Sequence, residues 1–342
     1  MSNAAMSRNT RKRAATTIAA SLLLGLLPGC GPSPYHSLHG QVMGTYYSMS
    51  GDCADQEAFE GAVGALVAID AEMSTYKPDS GLMRLNRTPA GEAVPISDDL
   101  RRVLELSARV RDASGGAFDV AIGALVNAWG FGPTNTGAAP DAQTIERLKP
   151  PGDGGYRLLP AGTALRTADE VFLDLSAVAK GYAVDAAAAE LRDAGCRAAM
   201  VDVGGEVRVF GPGPRGAEWR IGIEVPDAMQ VGGVEAVLPL IDAAVATSGD
   251  YRNFREVDGI RVSHTIDPRS GRPITHGLAS VTVVQPTTAD ADAWATALDV
   301  LGPDDGLALA TANGIAVYML VRTPGGFESR YTPAMAKLMH LP

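Results

Sequence analysis

The run Val171-Phe172-Leu173-Asp174-Leu175-Ser176-Ala177-Val178-Ala179-Lys180-Gly181-Tyr182-Ala183-Val184-Asp185 constrains the fold more than any other stretch of the chain. Val171 to Leu175 is apolar except for Asp174 and reads as a buried strand, and the alanine-rich pattern from Ala183 to Leu191 reads as a helix. Ser176 is placed to act as its N-cap. A helix start offers unpaired N–H groups and the positive end of a dipole, so this junction suits an anion such as phosphate. Ala177, Ala179 and Gly181 leave the backbone open to a bulky ligand, and Lys180 adds charge. An ordinary strand-to-helix turn with a solvated lysine explains the same residues, and the run alone does not separate the two readings.

The chain of 342 residues, 46% apolar and 20% charged, is globular in composition and long enough to bury a proper core. Its first 30 residues differ in character: Arg8, Arg11, Lys12 and Arg13, then an uncharged stretch from Ala14 to Leu27, then Pro28-Gly29-Cys30. This pattern predicts an export signal over residues 1–30, with an expression-tag remnant at residues 1–5. The apolar stretch falls short of the roughly 20 residues that a membrane-spanning helix needs. Removal of the signal before Cys30 leaves 25 basic against 39 acidic residues, a net charge of −14. Such a surface excludes nucleic acid as a partner, and an anionic substrate must be met by local groups or a metal. Cys53 and Cys196 stand far apart in sequence and are read as two buried free thiols rather than a disulfide.

Residues 31–37 read as a tether and 38–342 as the folded domain, with a first strand from Gln41 to Ser50. Helical spacing predicts Ala58–Met73, with Phe59, Val63, Leu66, Val67 and Ile69 buried, then Asp98–Asp112 and Phe118–Trp129. Strands are expected near Val171–Leu175, Ala199–Val203, Glu206–Phe210, Trp219–Glu224 and Ala236–Ile241. Another ends at Val245–Tyr251, one runs from Arg261 to Ile266, and one spans Ser280–Val284. A helix over Ala289–Leu301, a second short helix, a strand at Ile315–Val321, a hairpin at Pro324-Gly325-Gly326 and a tail complete the chain. Strands with irregularly interspersed helices predict an α+β fold with mixed, largely antiparallel sheets and packed helices.

Asp292 and Thr296 are four residues apart, so one helix face presents a carboxylate and a hydroxyl to a hard cation, and magnesium suits this pair better than zinc. The competing reading makes Thr287 and Asp290 a capping box and Asp292 a charge favoured at a helix start. His264 ends a strand beside Asp267-Pro268 and Ser270-Gly271, as either a general base or a structural histidine. Met43-Gly44-Thr45, Tyr76, Ala117-Phe118-Asp119 and Asp202-Val203-Gly204-Gly205-Glu206 are weak individually, the last reading first as a tight turn.

Together and in this order, these runs resemble the ApbE-like family of bacterial FAD:protein FMN transferases, and Leu27-Pro28-Gly29-Cys30 resembles a lipoprotein lipobox. The resemblance covers nearly the whole mature chain and implies an ApbE-like, T-fold-related architecture. It implies magnesium-dependent transfer of FMN from FAD to a threonine or serine hydroxyl of acceptor flavoproteins, with release of AMP. The acceptors implied are flavin-carrying subunits of membrane redox complexes. Met43, Tyr76, Ala117, Phe118, Asp119, Asp174 and Lys180 match positions around FAD, as do Ser248, Gly249, Asp250, His264 and Ile266. Ala177, through its carbonyl, Asp292 and Thr296 match the magnesium ligands. His264, Lys180 and Asp174 are the catalytic candidates, with His264 taking the proton of the acceptor hydroxyl. The expected location is the periplasmic face of a bacterial membrane, anchored by lipid at Cys30. A magnesium-dependent FAD pyrophosphatase giving FMN and AMP, and a non-enzymatic FAD-binding lipoprotein, are the alternatives.

Overall fold

The computed structural model describes residues 35–53, 55–134, 139–226, 233–249, 254–257 and 260–341. The export signal, Cys30, residues 31–34 of the tether and Asp250 lie outside the described residues. The single strand expected at Gln41–Ser50 is a hairpin, β1 (His36–Val42) and β2 (Thr45–Gly51), so the strand starts inside the stretch read as tether. Met43 and Gly44 turn it with φ of 52° and 72°, the two consecutive positive values that give a two-residue turn the twist of its strands.

The chain continues through β3 (Ala199–Val203), β4 (Glu206–Phe210), β5 (Trp219–Glu224), β6 (Val234–Leu240) and β7 (Ala244–Gly249). Three further strands, β8 (Leu278–Gln285), β9 (Ala316–Thr323) and β10 (Gly326–Tyr331), follow near the C-terminal end. Among the described residues the main sheet has eight strands in the order β1-β2-β3-β4-β7-β8-β9-β10, every neighbouring pair antiparallel. β5 and β6 form a separate hairpin. The α+β class and the antiparallel pairing are as the sequence predicted.

Side chains alternate across a strand, so each main-sheet strand feeds two cores. Val281, Val283, Val317 and Met319 face the helices α1 (Glu57–Met73), α2 (Asp98–Ala113), α3 (Ala179–Asp193) and α4 (Thr288–Ala312). Val284, Tyr318 and Leu320 point the other way, onto the β5–β6 hairpin and the Pro333–Met339 helix. That last helix stands where the sequence reading placed a tail; Thr332 caps it by accepting the Met335 N–H at 3.3 Å. In α1 the buried stripe is Ala58, Phe59, Ala62, Leu66, Ile69 and Met73, whereas Val67 is 50% exposed. Val67 follows Leu66 by one residue, which turns it about 100° away from the stripe. The two helices expected after residue 289 are present within the Thr288–Ala312 span: the backbone of Gly302 (φ 80°) is not helical, and Pro303, which has no N–H to continue the ladder, opens the second helix.

Two segments depart from their sequence patterns. Phe118–Ile122 is not helical, and only Gly123–Ala128 is. Val171–Leu175 is not a strand beyond one bridge, between Phe172 and Ile122. The two stretches run side by side, joined by Asp174 N–H to the Val120 carbonyl at 2.8 Å and Gly123 N–H to the Phe172 carbonyl at 2.9 Å. The Asn86 amide serves as a second neighbour, accepting from Leu173 N–H at 2.8 Å and donating to its carbonyl at 2.9 Å. Burial of Leu173 and Leu175 is therefore satisfied without a ladder.

The two thiols read as free form a disulfide, Cys53–Cys196, with Cα atoms 4.3 Å apart. Pairing of β2 with β3 sets Gly51 opposite Ala199, which carries both cysteines to one corner despite 143 residues of separation. Asp52 fastens that corner by accepting the N–H groups of Arg197 and Ala198 at 2.9 and 2.8 Å.

Candidate functional site

The run from Val171 to Asp185 does not make the helix start its sequence suggested. Ser176 is not the cap: α3 begins at Ala179, and the Ser176 N–H and hydroxyl both donate to Asp174 Oδ1. Gly181 N–H, which a continued helix would return to the carbonyl of Ala177, donates instead to Asp292 Oδ2 of α4 at 3.0 Å. This contact requires close helix approach, since a Cβ on Gly181 would lie 2.4 Å from the Thr288 carbonyl oxygen and 2.8 Å from Asp292 Cβ.

The second acid of the run answers from the other helix. Asp185 Oδ1 accepts the N–H and hydroxyl of Thr288, and its Oδ2 accepts the Ala289 N–H, each at 2.9 Å. The α3 and α4 starts are thus capped reciprocally, Asp185 serving α4 and Asp292 serving α3. Of the Thr287–Asp290 capping box one half is present, Thr287 Oγ1 accepting the Asp290 N–H at 3.2 Å, while Asp290 Oδ2 accepts the Thr287 hydroxyl at 2.7 Å. Thr287 and Asp290 make the cap of α4, and Asp292 and Thr296 lie on the side of the helix that lines a cavity.

They face a cavity of about 1010 Å³. It brings together Asp174, Ala177 and Lys180, Asp292 and Thr296, Ser248 and Gly249, and His264 and Ile266. Tyr76, Ala117, Phe118 and Asp119 line it as well. Phe118 is only 2% exposed and packs mainly in the core, whereas Tyr76 is 67% exposed. Met43 is not brought to the cavity; it sits half-buried in the β1–β2 turn against the core. Asp250 lies outside the described residues.

One face of α4 organises the floor. Asp292, Thr296 and Asp299 recur at i, i+4 and i+7. Thr296 Oγ1 lies 3.4 Å from Ser248 Oγ at the end of β7, and Asp299 Oδ2 accepts the Thr265 hydroxyl at 3.0 Å. The helix therefore fixes the His264–Ile266 segment through its next turn. An aromatic wall stands opposite. Tyr76 OH donates to the Phe131 carbonyl at 3.4 Å, and the Phe131 ring meets the His264 ring edge-on with centroids 6.4 Å apart. Such a wall suits a planar ring system.

The charges are concentrated beside Asp292. Lys180 Nζ lies 2.5 Å from Glu206 Oε1, with the lysine side chain 30% exposed into the cavity and the glutamate buried. Burial opposes the ammonium charge, but Glu206, Asp292 and Asp202 outweigh it and raise the Lys180 pKa. Burial, opposed by Lys180 and reinforced by Asp292, pushes Glu206 up to about 7. Burial also raises Asp292, against the pull of Lys180 and the Gly181 N–H. Glu206 Oε2 has no hydrogen-bond partner among the described residues. No role was read for Glu206 from sequence; its only signal was an acid at a buried strand position, straight after Gly204-Gly205. Asp119 is pushed up to about 6 by burial, against the Ala121 N–H and Arg111.

The residues that line this part of the cavity bring hard oxygens, the Asp292 carboxylate and the Thr296 hydroxyl, with Ala177, whose carbonyl does not receive the Gly181 N–H that a continued helix would return to it. That set fits a small hard cation whose shell is completed by phosphate and water. No cluster of three or more His, Cys, Asp or Glu suited to a metal occurs among the described residues.

A cavity with an aromatic wall, a lysine among acids and oxygen donors on one helix face has the make-up of an enzyme site suited to an anionic ligand with a planar ring. Comparison with known proteins gives the family. The ApbE family profile matches residues 43–319, and the chain belongs to the ApbE family. It is 37% identical to the FAD:protein FMN transferase of Haemophilus influenzae, over 94% of this chain and 96% of that protein. It is 35% identical to that of Escherichia coli K12, over 94% and 95% respectively. The apo crystal structure of the flavinyl transferase ApbE from Pseudomonas stutzeri superposes with a TM-score of 0.83 at 36% identity, covering 92% of this chain and 99% of that one. The flavin transferase ApbE from Vibrio cholerae gives 0.81 at 36% identity, covering 90% and 100%.

Proposed function

We propose that this ApbE-family transferase moves the FMN part of FAD onto a threonine or serine hydroxyl of an acceptor flavoprotein and releases AMP. The observation that carries the reading is the junction of α3 and α4, where Lys180, Asp292, Thr296 and Ala177 line one cavity beside the aromatic wall. Tyr76 and Phe131 receive the isoalloxazine ring, and Asp174 and Asp119 contribute polar contacts at its side. Lys180, held by Glu206, neutralises phosphate charge and lets an acidic protein bind an anionic substrate. Ala177, Asp292 and Thr296 would hold magnesium, which supplies charge neutralisation on the pyrophosphate oxygens when bound.

His264 accepts the proton of the acceptor hydroxyl as its oxygen bonds to the FMN phosphorus. The pyrophosphate P–O bond breaks, and AMP leaves with the electron pair. The Cys53–Cys196 disulfide favours an oxidising compartment, which supports placement on the periplasmic face with an anchor at Cys30. No helix among the described residues is long and apolar enough to cross a membrane. The acceptors proposed are flavin-carrying subunits of membrane redox complexes.

The test is to co-express candidate acceptors with this protein and measure intact mass, then to repeat the reaction with purified components, FAD and magnesium. Gain of one FMN on the acceptor and one AMP released per transfer is the expected result, and Asp292→Asn should lower the rate at least a hundredfold. AMP release that is equally fast without acceptor, with no covalent flavin formed, would sink the transferase reading in favour of a pyrophosphatase.

A further inference from the structure

The cavity meets β5 in an unusual way. Five consecutive residues, Arg220, Ile221, Gly222, Ile223 and Glu224, line it. In a strand, alternate side chains point to opposite faces, so a space that touches every residue in turn lies along the edge of the strand. The pairing shows which backbone groups look out from that edge. The register is regular from Trp219↔Leu240 to Ile223↔Ala236 and shifts between Ile223 and Glu224, so the alternation is read within Trp219–Ile223, where residues 219, 221 and 223 direct their N–H and C=O groups to β6. Arg220 and Gly222 have the opposite parity and direct theirs away from β6. The proline in the register agrees, since Pro239, which has no N–H, sits opposite Arg220, where no ladder bond is required. Among the described residues no strand pairs with this second edge of β5. Gly222 adds no side chain to obstruct it, and the exposed Arg220 makes no ion pair among the described residues.

We infer that the outer edge of β5 is the rail on which the acceptor protein docks: an extended segment carrying the reactive serine or threonine adds to β5 as a further strand. This rests on the transferase reading and supplies the partner's binding mode. Three observations favour a peptide over the nucleotide. The edge presents backbone donors and acceptors at every second residue, the repeat of another strand. The aromatic wall and Lys180, which suit the nucleotide, come from other elements. The edge also opens into the same cavity as Lys180 and Asp292, so a docked segment has its hydroxyl delivered to the reacting phosphorus. Arg220 selects a segment with a carboxylate near the hydroxyl.

The probe is a synthetic peptide spanning the residue of the acceptor that gains FMN, N-methylated at one backbone position at a time and assayed with the wild-type enzyme. Docking on β5 requires kcat/KM to fall at least tenfold at alternate positions and little at those between. On the enzyme, Gly222→Pro removes an outward N–H and Arg220→Glu reverses the charge; each should raise the acceptor KM at least tenfold while FAD affinity, read from flavin fluorescence, stays unchanged. An N-methyl scan without two-residue periodicity overturns the inference whether or not Gly222→Pro folds. So does a Gly222→Pro variant that weakens FAD rather than acceptor binding, because the nucleotide would then lie along the edge. If wild-type enzyme transfers FMN to no acceptor at all, the transferase reading fails and the docking rail fails with it; transfer that is normal in both variants removes the rail alone.

Discussion

Gly181→Ala sets two physical effects of opposite sign against each other. Helix propensity alone favours alanine in α3 by about 1 kcal/mol. The close approach of α4 opposes it: the added methyl would stand 2.4 Å from the Thr288 carbonyl oxygen, 2.7 Å from its carbon and 2.8 Å from Asp292 Cβ. Two of these three atoms are backbone, so the helices must separate rather than a side chain rotate. Overpacking of this kind costs about 1–3 kcal/mol. Separation also stretches the 3.0 Å bond from Gly181 N–H to Asp292, of a class worth about 1.5–3 kcal/mol. The net expectation is a destabilisation of about 2–4 kcal/mol, a fall in Tm of roughly 3–6 °C for a chain of this length. The control is Gly64→Ala in α1, also a helical glycine, whose Cβ would meet nothing within 4 Å. It should gain up to about 1 kcal/mol. Urea unfolding of the two variants, with m unchanged, measures both. Magnesium affinity, read by calorimetry, should drop in Gly181→Ala only, because Asp292 moves with α4. If Gly181→Ala stabilises the protein as Gly64→Ala does, the reciprocal capping of α3 and α4 is wrong.

Two further outcomes are expected. Asp119, its pKa raised from 3.8 to about 6, is protonated more readily in the folded chain than in the unfolded one, so its contribution is present below pH 4 and lost as pH rises to about 6. The loss is on the order of 3 kcal/mol, and urea midpoints of wild type minus Asp119→Asn should fall across that window and flatten above it; a flat difference from pH 4 to 7 would refute the buried-carboxylate assignment. The Cys53→Ser/Cys196→Ser pair should lose about 5 kcal/mol by the chain-entropy relation for a loop of 143 residues, while leaving FAD affinity unchanged because neither cysteine lines the cavity. A loss of FAD binding in the folded double variant would show that the corner reaches the site.

Local periodicity marked most of the regular elements, because α1, α2 and α4 and the strands from β3 to β9 each carry their own burial pattern in consecutive residues. The Asp292–Thr296 face was legible for the same reason: helical geometry alone puts i and i+4 together. Phe118–Ile122 and Val171–Leu175 were misread because their burial is met by each other and by Asn86, from 87 residues away in the case of Leu173. Periodicity reports which residues are buried, not what the backbone bonds to.

The chain by itself determined the acidic charge, the α+β class, the small-residue run with Lys180, and the order of motifs that resembles one family. Tertiary structure alone decided what those residues do. It turned Ser176 from a helix cap into a donor to Asp174, spent Gly181 N–H on Asp292, gave Asp185 a capping role, paired Lys180 with Glu206, and joined Cys53 to Cys196. Each of these is a contact between elements, set by sheet order and helix approach. Side-chain identity fixes what a group is able to bond, but only the fold fixes which group arrives within 3 Å of it.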